Sequence, residues 1–115
     1  MKKLFLIIFS VLLTMSFTLN ETYGKASWYG HPYHGRKAAS GEIYNMNSLT
    51  AAHRTLKFGT KLKVTNIANN KSVVVRINDR GPFIKGKILD LSKAAFQQIA
   101  SSSVGVINIK YNVIE

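Results

Sequence analysis

Val73-Val74-Val75-Arg76-Ile77-Asn78-Asp79-Arg80-Gly81-Pro82-Phe83 runs an apolar alternation directly into a charged turn. Strand side chains alternate between faces with period two, so Val73, Val75 and Ile77 share one face of an extended segment and Asp79 continues their parity. Gly81-Pro82 ends the strand just beyond it. A carboxylate placed there sits at the mouth of a sheet or barrel, dry on one side. Two readings of Asp79 stand side by side: a turn aspartate bonding its own backbone, or the proton-transferring group of an active site. How it holds its proton depends on which way Arg76 and Arg80 face.

Working outward, Lys61-Leu62-Lys63-Val64-Thr65-Asn66 alternates cleanly, with Leu62 and Val64 inward. Ala68-Asn69-Asn70-Lys71 then makes a turn in which asparagine tolerates the left-handed conformation, so 61–78 reads as a β-hairpin. Lys87 to Leu91 is a further short strand. Ser92 or Asp90 caps a helix running to about Ala100, with Ala94, Ala95, Phe96 and Ile99 on its apolar side. Val104 to Val113 closes the chain as a strand carrying Val106, Ile107, Ile109 and Tyr111. Upstream, Lys25 to Gly30 is a strand, and the polar, glycine-bearing stretch from His31 to Glu42 is a surface loop of the kind that carries function. Leu49 to His53 reads as a short strand, with a helical turn as the alternative. Five to seven short strands with one helix inserted late predict a mainly β fold, a small barrel.

The chain has 115 residues, 16 Lys and Arg against five acids, and no cysteine. Lys2 and Lys3 precede an apolar run from Leu4 to Leu13, interrupted only by Ser10, which is too short for a comfortable membrane span of about 20 residues. Residues 1–24 are therefore expected to be a secretory signal, with an uncleaved N-terminal anchor as the alternative, and 25–115 to be a single exported domain. Membrane contact is then confined to the signal. Without cysteine there is neither a disulfide nor a lipid-bearing N-terminal cysteine, and about 90 residues must stand on their core alone. A formal charge of +11 favours a polyanionic partner or simply solubility. Nucleic acid is not expected, because the lysines are dispersed without the interleaved aromatics of a stacking platform. A monomer is expected.

Acids are scarce enough to weigh singly. Asp90 is most simply a helix cap and Glu115 a terminal, solvated group, so general acid chemistry falls to Asp79 or Glu42. His53 is either a hydrogen-bonded structural residue or a partner of Asp79. His31-x-x-His34 has no acidic or cysteine neighbour, so neither a metal nor another cofactor is expected. No nucleophile elbow supports a triad of Ser40, His53 and Asp79. Trp28, Tyr29, Tyr33 and Tyr44 surround the loop and suit stacking on sugar rings, with packing as the alternative, most evenly balanced at Trp28.

Several stretches taken in order resemble the double-psi β-barrel domain of the rare lipoprotein A family. They are 24–30 (GKASWYG), 34–42 (HGRKAASGE), 49–53 (LTAAH), 58–60 (FGT), 76–83 (RINDRGPF) and 88–92 (ILDLS), covering nearly all of the expected exported part. The resemblance implies a six-stranded double-psi barrel and a lytic transglycosylase acting on peptidoglycan, with a preference for glycan strands free of stem peptides. It implies Asp79 as acid and base, His53 as its neighbour and Glu42 as a supporting carboxylate, with Asn45 at a fourth family position; the expected substrate contacts are Trp28, Tyr29, Tyr44, Asn45, Arg76 and Arg80. Asn45 stands where the family often has aspartate, and Lys57 where it usually has proline. In the implied mechanism Asp79 protonates the oxygen between N-acetylmuramic acid and N-acetylglucosamine. It then takes the proton of the muramic 6-hydroxyl, which closes on C1 to give a 1,6-anhydro end. Peptidoglycan is thus the expected partner, in the periplasm or cell envelope. The alternatives are a non-catalytic, expansin-like glycan-binding domain, which Asn45 favours, and an exported basic protein recruited to cell-division or cell-wall machinery.

Overall fold

A computed structural model describes residues 20–115 of the chain. The expected export segment falls almost wholly on residues 1–19, outside the described residues. The described chain forms strands β1 (Thr22–Tyr29), β2 (Thr50–Ala52), β3 (Lys61–Asn66), β4 (Ser72–Asp79) and β5 (Lys87–Ser92), helix α1 (Lys93–Ile99) and strand β6 (Val106–Val113). The six strands close into a barrel in the order β1-β5-β2-β4-β3-β6. β1 pairs with β5 and β2 with β4 in parallel, and the other four pairings are antiparallel.

Alternation fills this barrel. Leu62 and Val64 of β3, Val73, Val75 and Ile77 of β4, and Ile107, Ile109 and Tyr111 of β6 all point into the core, where they meet Leu89 and Leu91 of β5. Each parallel pair carries one irregularity. Between Ala51↔Ile77 and Ala52↔Asp79, β4 advances two residues while β2 advances one, so Asn78 is the extra residue of a bulge. β5 does the same beside β1, with Ile88 extra. The expected parity of β4 therefore holds through Ile77 and is broken one residue before Asp79. A bulge bends its strand and re-aims the side chain that follows, and here that side chain is the aspartate.

Helix α1 closes one side of the barrel through Ala95, Phe96 and Ile99, all buried. Truncating a fully buried phenylalanine such as Phe96 typically costs about 3–5 kcal/mol. The helix starts at Lys93 because Ser92 caps it, its Oγ accepting the Ala95 N–H at 3.2 Å. At the other end the Asn66 and Asn69 side chains both donate to the Ile99 carbonyl, at 2.8 and 2.9 Å. Two expectations need correction here. Val104 belongs to a 3-10 turn, Ser102–Val104, and Gly105 at φ 79° breaks the chain before β6, so the strand begins at Val106. Val106 then faces out, leaving Ile107, Ile109 and Tyr111 as the inward set. β1 begins at Thr22 rather than Lys25, because Thr22 and Tyr23 pair with Tyr111 and Lys110 of β6.

Candidate active site at the barrel mouth

Ala52, the last residue of the short strand β2, is in register with Asp79 on one side and with Asp90 on the other. Neighbouring strands lie ≈ 4.8 Å apart, so the two aspartates stand about 10 Å apart at their Cα atoms with a buried, methyl-sized side chain between them. The cavity above this floor has a volume of ≈ 180 Å³ and is lined by Tyr29, Tyr33, Ala52, Asp79, Arg80 and Asp90. Asp90 was expected to cap α1. It lies three residues before the first helical residue, too far to be its cap, and instead its Oδ1 accepts a 2.5 Å hydrogen bond from Ser27 Oγ on β1. The position of Ser92, immediately before Lys93, was the signal that could have freed Asp90 for the site.

Asp79 is held through one oxygen. Its Oδ1 accepts the Arg80 N–H at 2.9 Å and the Ala39 N–H at 2.8 Å, leaving Oδ2 to the cavity. The second donor arrives from far along the chain. Residues 36–44 fold as a small hairpin, with Tyr44 N donating to Arg36 O, Ala38 N to Glu42 O, and Lys37 bridged to Ile43. Its tip lies across the end of β4, where Ser40 N donates to the Asn78 carbonyl at 3.3 Å. Glu42 clamps the hairpin there by a two-pronged ion pair with Arg76, whose Nη2 reaches Oε1 at 2.9 Å. The hydrogen bond from Arg76 holds the Glu42 carboxyl below its ordinary range and raises the guanidinium in turn.

Neither flanking arginine is in an ion pair with Asp79. Arg76 is engaged by Glu42, while the Arg80 guanidinium donates to the carbonyls of His53 (3.2 Å) and Leu56 (2.8 Å) and stacks 4.0 Å from the Phe58 ring centre. Arg80 thus lines the cavity and pins the 53–60 loop beside it.

The imidazole of His53 is not among the groups lining the cavity. Its Nδ1 accepts from Thr55 N and Leu56 N, both at 3.0 Å, and its Nε2 lies 3.0 Å from the Tyr111 hydroxyl. Two backbone donors on Nδ1 require the Nε2–H tautomer. Burial, then Arg54 and Arg80, lowers its pKa, which keeps the ring neutral. The connection to Asp79 runs through the backbone, His53 N to Asp79 O at 3.2 Å.

Among the aromatics, Tyr29 lines the cavity, with Tyr44 stacked behind it (4.3 Å between ring centres) and Tyr33 against its edge (5.8 Å). Tyr44 is buried and donates to the Tyr29 carbonyl, so it supports the wall from behind. Tyr33 is half-exposed at the cavity. Trp28 faces elsewhere, donating from Nε1 to Ser102 O at 3.0 Å and packing against Phe96. Asn45 is exposed, with Oδ1 turned to Asn47 N at 2.9 Å, and does not line the cavity. His34 is also occupied locally, its Nδ1 accepting from Met46 N. Of the residues singled out in the sequence the structure brings together Asp79, Tyr29, Tyr33 and Arg80, adds Asp90, which was read as a helix cap, and sets Glu42 and Arg76 behind them as a clamp. A larger, mainly apolar groove of ≈ 690 Å³ includes Ile67, Ala100, Val104 and Val106 and has no carboxylate in its lining.

Residues 21–111 match the family of double-psi β-barrel domains described as lytic transglycolase. The chain belongs to this family. Over 92 residues it is 56% identical to a Synechocystis protein named probable endolytic peptidoglycan transglycosylase RlpA, covering 80% of this chain and 29% of that one. The endolytic peptidoglycan transglycosylases RlpA of Campylobacter jejuni and Vibrio cholerae are each 54% identical over 79% of this chain, and the match covers 33% and 35% of their lengths. The chain therefore shares the barrel domain of the rare lipoprotein A proteins and spans about a third of these relatives. Among solved structures, a Streptomyces papain inhibitor superposes with a TM-score of 0.70 at 22% identity, over 84% of this chain and 96% of that one. A Clavibacter michiganensis expansin superposes at 0.65 and 24% identity, over 83% and 50%. At such identities the likeness is one of fold, and it agrees with the closed six-stranded barrel.

Proposed function

We propose that this domain is a peptidoglycan lytic transglycosylase that acts outside the cytoplasm and cleaves the bond between N-acetylmuramic acid and N-acetylglucosamine. The observation that carries the reading is the meeting of Asp79 and Asp90 in one cavity with Tyr29 and Arg80. The names of the relatives that share its barrel at 54–56% identity support it.

The proposed steps are these. Asp79 Oδ2 carries the proton to the glycosidic oxygen, Oδ1 being occupied by Ala39 and Arg80, and the C1–O bond breaks with oxocarbenium character at C1. Asp90, across Ala52, places a negative charge opposite that developing cation. The Asp79 carboxylate then takes the proton of the muramic 6-hydroxyl as its oxygen bonds to C1, and no water is consumed. A cavity of ≈ 180 Å³ is smaller than the usual ligand pocket of roughly 300–1,000 Å³, which suits a bare sugar ring and supports a preference for peptide-poor strands. An export segment ending before Glu21 is in keeping with the reading, since Thr22 already belongs to β1.

The expansin-like, binding-only alternative drew its support from Asn45. That residue does not line the cavity, its Oδ1 accepting from Asn47 N, which weakens that support. Digestion of intact and amidase-stripped sacculi, with mass analysis of the soluble products, tests the proposal. It predicts 1,6-anhydro ends, none of them from Asp79→Asn, and a fall in kcat of about 10²–10³ for Asp90→Asn, the usual scale of one electrostatic group. Reducing, hydrated ends alone, or an active Asp79→Asn, would sink it.

A further inference from the structure

Tyr29 ends β1 with its ring fixed on three sides. Tyr44 stacks on one face, Tyr33 meets the edge, and the Tyr44 hydroxyl donates to the Tyr29 backbone carbonyl. Its own hydroxyl is the unusual part. The oxygen is buried and has no hydrogen-bond partner among the described residues, although the side chain lines the cavity that holds Asp79 and Asp90. Burial first, and then the charge of Asp79, push the phenol well above its ordinary pKa. The Asp79 side chain acts on it both by its charge and by a hydrogen-bond-like approach, which falls short of a full hydrogen bond. The group is thus a fixed O–H donor at any physiological pH, and an unpartnered buried donor is destabilising. Such a group in a native fold calls for an explanation, and a catalytic role is one of the recognised ones.

Two carboxylates that accept and one hydroxyl that must donate describe their ligand. An amide carbonyl satisfies the tyrosine but has no proton for a carboxylate. A sugar hydroxyl does both at once. We infer that the Tyr29 hydroxyl donates to the oxygen of the attacking sugar hydroxyl and orients it, making Tyr29 a further catalytic residue. This rests on the transglycosylase reading above. With one lone pair of O6 engaged by Tyr29 and its proton directed at the Asp79 carboxylate, the second lone pair is left to face C1. The O6–C1 bond forms and the O6 proton passes to Asp79. The leaving N-acetylglucosamine oxygen already carries the proton Asp79 gave it.

The test compares wild type, Tyr29→Phe and the control Tyr23→Phe on amidase-stripped sacculi. Tyr23 is an exposed tyrosine whose hydroxyl donates to Glu21. Thermal melting and mass analysis of the released ends are the readouts. Tyr29→Phe keeps the aromatic stack, so its Tm is expected to equal or exceed that of wild type. Its kcat/KM is expected to fall about tenfold, and hydrated reducing ends are expected to appear as water competes with the misoriented 6-hydroxyl. Tyr23→Phe should match wild type in rate and products. A Tyr29→Phe enzyme making anhydro ends alone, at any rate, would overturn the orienting role, and a lowered Tm would show that the hydroxyl has a partner within the fold. Wild-type digests lacking anhydro ends would instead overturn the transglycosylase reading and this inference with it.

Discussion

Removing the carboxylate of Glu42 separates two accounts of that residue, a proton-transfer group and a clamp. In the structure its oxygens are taken by Arg76, and its reach to the chemistry runs from the 36–44 hairpin through Ala39 N to Asp79 Oδ1. The pair is partly solvated, with side chains 44% and 40% exposed. An exposed ion pair is worth about 0.2–1 kcal/mol, and a two-pronged one belongs at the upper end. Glu42→Gln should therefore lower Tm by no more than about 4–8 °C, the shift expected of 1 kcal/mol in a domain this size. The effect on rate is bounded differently. If the hairpin tip withdraws fully, Asp79 loses a hydrogen bond to a charged group, worth about 1.5–3 kcal/mol, or roughly 10- to 150-fold in kcat. Ser40 N to Asn78 O still tethers the tip, so a loss of about 3- to 30-fold is expected, with KM little changed. The pH dependence has a sign. Arg76 lowers the folded carboxyl below its ordinary value of 4.5, so the clamp is whole above that value and is lost as pH falls through the lowered one; Glu42→Gln should lack this acid limb. The assay is anhydro-muropeptide release under initial-rate conditions, alongside thermal melts. Exchanging the charges, Glu42→Arg with Arg76→Glu, should recover part of the rate. Wild-type kcat in a destabilised Glu42→Gln would refute the path to Asp79. A loss as complete as that of Asp79→Asn, unrecovered by the exchange, would refute the clamp and return Glu42 to the proton transfer.

Two further outcomes follow from side chains that turn away from the cavity. Trp28→Phe loses the hydrogen bond to Ser102 O and part of the packing on Phe96; it should cost about 1 kcal/mol of stability and leave glycan affinity in sacculus pull-downs unaltered, so a drop in affinity at equal stability would place Trp28 on the substrate. His53 is held neutral in the fold, its pKa lowered first by burial and then by Arg54 and Arg80. The unfolded chain then binds the extra proton, so His53 lowers stability as pH falls through the ordinary histidine value of about 6.5 toward the folded one. In His53→Asn a side-chain oxygen remains to accept from the loop amides, and Tm should depend less on pH between about 7.5 and 5. A rate loss matching Asp79→Asn in that variant would mean that the imidazole reaches the substrate.

What the sequence carried well was parity and punctuation. The inward set of β3 and β4, the turn with Asn70 at φ 60°, and the helix after Ser92 follow from neighbours within a few residues. The misreadings share a different origin. Asn78 becomes a bulge, and Thr22 a strand residue, only through pairing with β2 and β6, which propensity within β4 or β1 does not record. Residue identity named His53, Trp28 and Tyr29 as candidates, but their directions are fixed by Tyr111, Ser102 and Tyr44, which are 58, 74 and 15 residues away. Local chemistry therefore pointed to residues around the barrel mouth and could not sort those that line the cavity there from the rest.

Asp90 shows why that sorting matters. Eleven residues separate it from Asp79 in the chain, and in a hairpin two such residues would lie on adjacent strands. Here β5 and β4 are not neighbours: β2 lies between them, antiparallel to one and parallel to the other. A strand of three residues thus sets the spacing of the two carboxylates, and its terminal alanine keeps the space between them open. The resemblance carried Asp79 over from a turn motif, and the pairing of β2 supplies the second acid that the motif alone left as a helix cap. The same register makes Tyr29 more than one more sugar-stacking aromatic. β1 lies on the far side of β5 and is in register with it at Ser27↔Asp90 and Tyr29↔Ser92, so one strand provides both the hydroxyl that holds Asp90 and the hydroxyl left without a partner. The site is in this sense a property of four strands meeting at Ala52 and Asp90, and the Asp79 turn is one of its corners.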